Sequence, residues 1–306
     1  MADSERTGIF FMPGISLVAK MFIPLAQEIK HGINFYGLNW PFHTTDNREK
    51  EGMTNHPLLK LETKQAVVAR LLTPYHLSDY VIGAFSDPLH SQEPGRVYGE
   101  ELFLSYQGTV DEWVGFGHSA GGTALLLTEM LFPGTFSQLF LYEPVFIPER
   151  NLAPEYVITE ILSLVERTMK RRRLFSSAKE LKTHFLGRAP FSQISPTALD
   201  SYLSEAFRKI DPPGEEMEIV LEPELEAYFY ERFGGLINLE VPSTLSCPLH
   251  VLLGSRLNPI ASYSLEVLKS RFPGIQVTIL DGLDHFGPFS EPSMIAGYVN
   301  SKLITI

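Results

Sequence analysis

Glu112-Trp113-Val114-Gly115-Phe116-Gly117-His118-Ser119-Ala120-Gly121-Gly122-Thr123-Ala124-Leu125-Leu126-Leu127 is the stretch whose reading decides the fold. Residues 112–117 form an apolar run of strand length. Leu125, Leu126 and Met130 mark an apolar helix that Pro133-Gly134 stops. Between the two lies Gly117-His118-Ser119-Ala120-Gly121, which has G-x-S-x-G spacing. A serine so placed stands at the tip of a sharp strand-to-helix turn. Small residues two before and two after it let the backbone reverse without collision. The helix that follows points its positive end at the serine, which favours negative charge developing beside it. The pentapeptide alone also occurs by chance. The strand before it and the helix after it make Ser119 the candidate nucleophile.

A serine hydroxyl needs a base to attack at neutral pH. In triads built on this turn, the acid and then the histidine follow the serine along the chain. The sequence has nine histidines. Only His285 lies beyond the last predicted strand, in Asp281-Gly282-Leu283-Asp284-His285-Phe286-Gly287-Pro288, so it is the candidate base. The acid is harder to choose. The loop that most often supplies it would follow the strand predicted at Pro248–Gly254. That loop reads Gly254-Ser255-Arg256-Leu257-Asn258-Pro259 and holds no carboxylate. The other location is the end of the strand after the nucleophile helix, where Glu143 stands. Glu143 is therefore preferred, with a purely structural strand-end glutamate as its bland alternative. Asp281 and Asp284 remain as further candidates, although they sit very close to His285 in sequence. Two backbone N–H groups should form the oxyanion hole. One belongs to Ala120, after the nucleophile, and the other to Ile15, in the Pro13-Gly14-Ile15 turn after the first strand.

Strand and helix patterns alternate outward from this centre, which points to a mostly parallel sheet with helices on both faces. Strands are predicted at Gly8–Met12, Asn34–Leu38, Glu112–Gly117, Leu139–Tyr142, Pro248–Gly254 and Val277–Leu280. Helical spacing is read around Met21–Ile29, over Ser264–Arg271, and over Met294–Val299. Residues 46–98 read less clearly, with a helix at Leu58–Leu72 and an extended piece at Tyr80–Phe85. A further helix is predicted over Glu100–Gln107. From 146 to 240 the pattern turns helical. Ile158, Ile161, Leu162, Val165 and Met169 share one helix face, Ser177 and Glu180 have capping-box spacing, and Ser195-Pro196 opens another helix. The expected organisation is a core domain of residues 1–145 and 241–306 carrying an inserted helical cap at 146–240.

The 306 residues are 44% hydrophobic and 20% charged, enough apolar material for a sizeable core. A net charge of −11 argues against nucleic acid as a partner. No secretory signal and no apolar run of bilayer length is visible, so stable membrane insertion is not expected and a cytoplasmic location is. The one cysteine, Cys247, rules out an internal disulfide and reads as a packing residue. Neither metal-ligand spacing nor a phosphate or dinucleotide fingerprint occurs, so no cofactor and no metal is expected. The sequence does not give the oligomeric state.

These residues resemble the α/β-hydrolase superfamily over nearly the whole chain. Pro133-Gly134-Thr135-Phe136, Leu141-Tyr142-Glu143-Pro144, Arg171-Arg172-Arg173-Leu174-Phe175 and His285-Phe286-Gly287-Pro288 add to the likeness. A more distant similarity to zearalenone lactonases, which also place a glutamate after this strand, supports Glu143 as the acid. The resemblance implies an α/β-hydrolase fold without its first β-hairpin, and a serine esterase or lactonase working through an acyl-enzyme. It implies a small apolar ester or lactone as substrate. Carbon–carbon bond hydrolysis on the same triad, or a catalytically silent binding protein, are the alternatives. Gly14 and His118 are candidate pocket residues, and Trp40, Phe42 and Phe146 are read either as walls of an apolar pocket or, equally, as core packing. Lys170-Arg171-Arg172-Arg173 reads first as a solvated helix end, and second as a cap site for a substrate carboxylate.

Overall fold

The structure is a computed structural model that describes residues 7–30, 33–40, 110, 112–147, 153–210, 213–233 and 244–303. The elements expected within 46–107, and Phe42, lie outside the described residues. In chain order the elements are β1 (Thr7–Met12), α1 (Ile23–Glu28), β2 (Asn34–Gly37), β3 (Glu112–His118), α2 (Ala120–Leu131) and β4 (Gln138–Tyr142). Next come α3 (Glu155–Met169), β5 (Leu174–Phe175), α4 (Ala178–Leu186), α5 (Pro196–Ala206), β6 (Phe207–Lys209), β7 (Met217–Ile219) and α6 (Pro223–Phe233). The last are β8 (Leu249–Gly254), α7 (Pro259–Arg271), β9 (Gln276–Leu280), α8 (Gly287–Ser290) and α9 (Pro292–Lys302).

Six strands form one parallel sheet in the order β2-β1-β3-β4-β8-β9. Strand side chains alternate between faces, and here both faces are apolar because helices cover both. In β1, Ile9 and Phe11 join a cluster with Leu25 of α1 and Val299 of α9. Phe10 and Met12 join the opposite cluster, with Leu125 and Leu126 of α2 and Leu268 of α7. Because α2 is buried along nearly its whole length, its apolar residues show little one-sided periodicity.

Residues 153–233 contain the expected helices but also a small antiparallel sheet, β5-β7-β6, which helical spacing did not reveal. Its strands are two or three residues long, too short for an alternating pattern to register. Phe175 and Phe207 from this sheet, with Tyr202 from α5, belong to the same apolar cluster as Phe11 and Phe116 of the main sheet. The Ser177 side chain accepts from Glu180 N–H at the start of α4. The Glu180 carboxylate closes back on Ser176, one residue earlier than a strict capping box requires. Ser195 caps α5 in the same way, with Pro196 at its first position. No helix among the described residues is long and apolar enough to cross a membrane.

Candidate active site

Ser119 sits between β3 and α2 with φ 56° and ψ −124°, a conformation that costs a non-glycine residue energy. Its neighbours hold it there. Ser119 N–H donates to Tyr142 O (3.0 Å), and its own carbonyl accepts from Thr123 and Val145 N–H. The flanking glycines are steric necessities. A Cβ on Gly121 would lie 2.2 Å from Met12 O, and one on Gly117 would lie 2.4 Å from Gly122 Cα.

Glu143 follows β4 directly and is the other described non-glycine residue with positive φ, at 42°. It is fully buried. One carboxylate oxygen, Oε1, accepts from Gly254 N–H (3.1 Å) at the end of β8. The other, Oε2, lies 2.8 Å from His285 Nδ1. A carboxylate at Nδ1 keeps the proton on that nitrogen and leaves Nε2 free to accept one. The remaining acid candidates are engaged elsewhere. Asp281 accepts from Ser255 Oγ and Asp284 from Phe286 N–H. The acid-free loop after β8 turns out to be a helix start, because Asn258 caps α7 by accepting from Ala261 N–H and Pro259 occupies the first turn.

Ser119, Glu143 and His285 all line one cavity of about 400 Å³, together with Gly14, Ile15 and Ala120. Ser119 and His285 are not hydrogen-bonded to each other. Such contacts commonly tighten only when substrate is bound. Ala120 opens α2, so its N–H is among those that an α-helix leaves without an intrahelical partner.

His118 has a larger part than a pocket-lining residue. It is buried, its Nε2 lies 2.8 Å from His285 O, and its ring packs 4.6 Å from that of His285. Burial, then the nearby His285, hold its pKa well below the ordinary histidine value. It is therefore neutral at pH 7, and the N–H toward His285 O fixes the loop that carries His285. Tyr142 OH adds a second tie to that loop through Asp284 O (2.6 Å).

Of the two readings open for Trp40 and Phe146, pocket wall or core, the structure favours the core. Trp40 is buried, stacks edge-on with Phe229, and donates from Nε1 to Pro13 O (2.9 Å), so it braces the Gly14-Ile15 turn from behind. Phe146 is buried near Phe272 in the core. Both have the apolar character of a pocket wall, but their rings are used up in packing.

The cavity wall is also less apolar than expected. Ile161, Leu164 and Phe286 face it, but so do Ser16, Arg171 and Tyr230. These three belong to a partly buried chain of polar contacts. Ser16 Oγ meets Tyr230 OH (3.0 Å), Tyr230 OH donates to Glu226 Oε1 (3.0 Å), and Arg171 pairs with Glu226 Oε2. Burial raises the pKa of Glu226, and Arg171 with the hydrogen-bond donors pulls it back. Glu226 and Tyr230 lie one turn apart on α6, whereas Arg171, just past α3, and Ser16, after β1, reach them only through tertiary packing. Each residue of the basic run has an acidic partner: Glu166 for Lys170, Glu226 for Arg171, Glu180 for Arg172 and Glu224 for Arg173. Cys247 packs beside the core, and burial pushes its thiol up to about 12. Among the described residues no group of three or more His, Cys, Asp or Glu is arranged to hold a metal ion.

No protein-family model matches the sequence, and no curated protein matches it significantly. Solved structures do. E-2-(acetamidomethylene)succinate hydrolase superposes with a TM-score of 0.65 at 14% identity, covering 97% of this chain and 92% of that one. A peroxisomal α/β-hydrolase of Saccharomyces cerevisiae gives 0.61 at 13% identity, over 97% and 76%. The thioesterase domain from the curacin biosynthetic pathway gives 0.60 at 12% identity, over 99% and 93%. Likeness at such low identity speaks for architecture, and the architecture that these proteins share with this chain is the α/β-hydrolase fold.

Proposed function

We propose that this protein is a serine hydrolase that cleaves a carboxylic ester or lactone through a Ser119–His285–Glu143 triad. The observation that carries the reading is the buried Glu143 carboxylate, 2.8 Å from His285 Nδ1 and facing the same cavity as the strained Ser119. Solved relatives described as an esterase and a thioesterase domain are in keeping with acyl transfer.

In this mechanism Ser119 Oγ attacks the carbonyl carbon while His285 Nε2 takes its proton. The tetrahedral oxyanion is held by the N–H groups of Ala120 and Ile15. Collapse expels the alcohol, which receives the proton from His285, and leaves Ser119 acylated. Water then repeats the sequence and releases the acid. Glu143 keeps the imidazole in the correct tautomer and offsets its positive charge. Its second hydrogen bond, to Gly254, keeps the carboxylate from rotating away. The segment over the cavity is the proposed cap domain, and Ile161 and Phe191 are its contacts with substrate.

A fluorophosphonate probe tests the central claim. It should label the native protein stoichiometrically at Ser119, and neither Ser119→Ala nor heat-denatured protein should react. Absence of labelling in folded wild-type protein would refute the hydrolase reading and favour a silent binding fold.

A further inference from the structure

A second cavity of about 420 Å³ adjoins the catalytic one and shares with it Arg167, Arg171, Pro190, Phe191 and Tyr202. Its charged lining is one-sided: Arg167, Lys170, Arg171, Arg172 and Arg188 face it, and among the described residues no carboxylate does. This is conspicuous in a chain of net charge −11. The glutamates that pair with four of these cations, Glu160, Glu166, Glu226 and Glu180, all lie outside the lining. Arg188 forms no ion pair among the described residues. Phe185, Phe191 and Tyr202 form the apolar floor.

Glutamates outside the cavity answer four of these charges, and Arg188 is answered by none among the described residues. The guanidinium group is suited to bind a planar or tetrahedral oxyanion through paired N–H donors. His184, also in the lining, reports the local field. Burial, then Arg188 and Arg172, hold its pKa below the ordinary value, with Glu180 opposing them.

We propose that this arginine-lined cavity is an anion subsite continuous with the active site, so that the natural substrate is an ester or lactone carrying a carboxylate or phosphate remote from the scissile carbonyl. The apolar walls of the catalytic cavity hold the chain between, and the guanidinium groups hold its charged end. The inference rests on the proposed hydrolase activity for the word substrate, but not for the anion site itself.

Two measurements separate the claims. The first compares p-nitrophenyl esters of one medium-length acyl chain ending in methyl, carboxylate or phosphate. Wild-type kcat/KM should favour an anionic ester over the methyl one by about tenfold or more, and the better of the two identifies the anion. In Arg188→Ala this ratio should fall toward one, through KM, and Arg188→Lys should restore part of it. Equal rates for all three esters, or a ratio unmoved in Arg188→Ala, would overturn the proposal. The second follows the His184 ring resonances while inorganic phosphate or acetate is added to the wild-type protein. A saturable shift that Arg188→Ala abolishes supports the subsite even if no ester is cleaved. No shift with either anion counts against the subsite even if the esters are cleaved.

Discussion

Replacing Glu143 by Gln changes one atom type and should nearly abolish turnover. The Glu143 carboxylate has two tasks: Oε1 accepts from Gly254 N–H and Oε2 accepts from His285 Nδ1. Both partners demand an acceptor, and an amide has only one oxygen. If that oxygen stays with Gly254, the amide N–H₂ faces His285 and drives the ring proton to Nε2, where it blocks attack by Ser119. If it turns to His285, two donors collide at Gly254. In either case the imidazolium formed in the transition state loses its counter-charge. At an effective dielectric of about 20, opposite charges at hydrogen-bonding range attract by about 4 kcal/mol, which corresponds to roughly 10³-fold in rate. The tautomer error adds to this, and amide substitution of a triad acid has cost about 10⁴-fold in kcat in a serine protease. Glu143→Gln should therefore lower kcat by about 10³- to 10⁴-fold while KM moves little, in steady-state assays with a p-nitrophenyl ester. Thermal melting establishes that the variant is folded. A folded variant that keeps kcat within about tenfold of wild type would refute the argument, since Glu143 would then be a strand-end residue that happens to touch His285.

Two other outcomes follow from contacts around the site. His118 is buried and neutral, with its pKa depressed below the 6.5 of a free histidine. The unfolded chain therefore binds a proton at His118 as pH falls through 6.5 while the folded chain does not, so acid destabilises the native state, by at most about 1.4 kcal/mol per pH unit, until the folded value is reached. The fall in thermal midpoint between neutral pH and pH 5 should be smaller in His118→Gln than in wild type, and parallel curves would contradict the assignment. Trp40→Phe removes the donor to the buried Pro13 carbonyl, at an expected cost of about 1–3 kcal/mol in stability. If Trp40 braces the turn that carries Ile15, kcat should drop more than KM rises in this variant, and unchanged kinetics would remove that role.

The proposed nucleophile and base can be read in the sequence because each is tied to a local pattern. Ser119 lies between an apolar strand and an apolar helix, and His285 follows the last strand. Glu143 is reached by elimination, from a loop that holds no carboxylate, and by the distant resemblance, and no local pattern marks it. What marks it in the structure, a positive φ and an oxygen on Gly254, is tertiary and leaves no trace in spacing. The same holds for His118, whose role depends on the His285 carbonyl arriving from far along the chain. Trp40 and Phe146 stay undecided in the sequence because an aromatic ring looks alike there whether it faces a cavity or a core. The strands β5, β6 and β7 were missed because pairing across the segment, and not local alternation, defines them. The cationic run could be seen as a cluster. That Arg171 turns inward to Glu226 while Arg172 turns outward to Glu180 could not.

With the proposed acid at the end of β4, the stretch between β8 and α7 is free of catalytic duty. Leu257 and Asn258 precede a helix whose early residues, Ile260 and Ala261, line the cavity that holds Ser119, with Asn258 beside them. Residues here can be exchanged or the turn lengthened to suit bulkier compounds, provided that Gly254 and the cap of α7 are kept. The cavity thus offers a rim for laboratory evolution that carries none of the proposed catalytic groups.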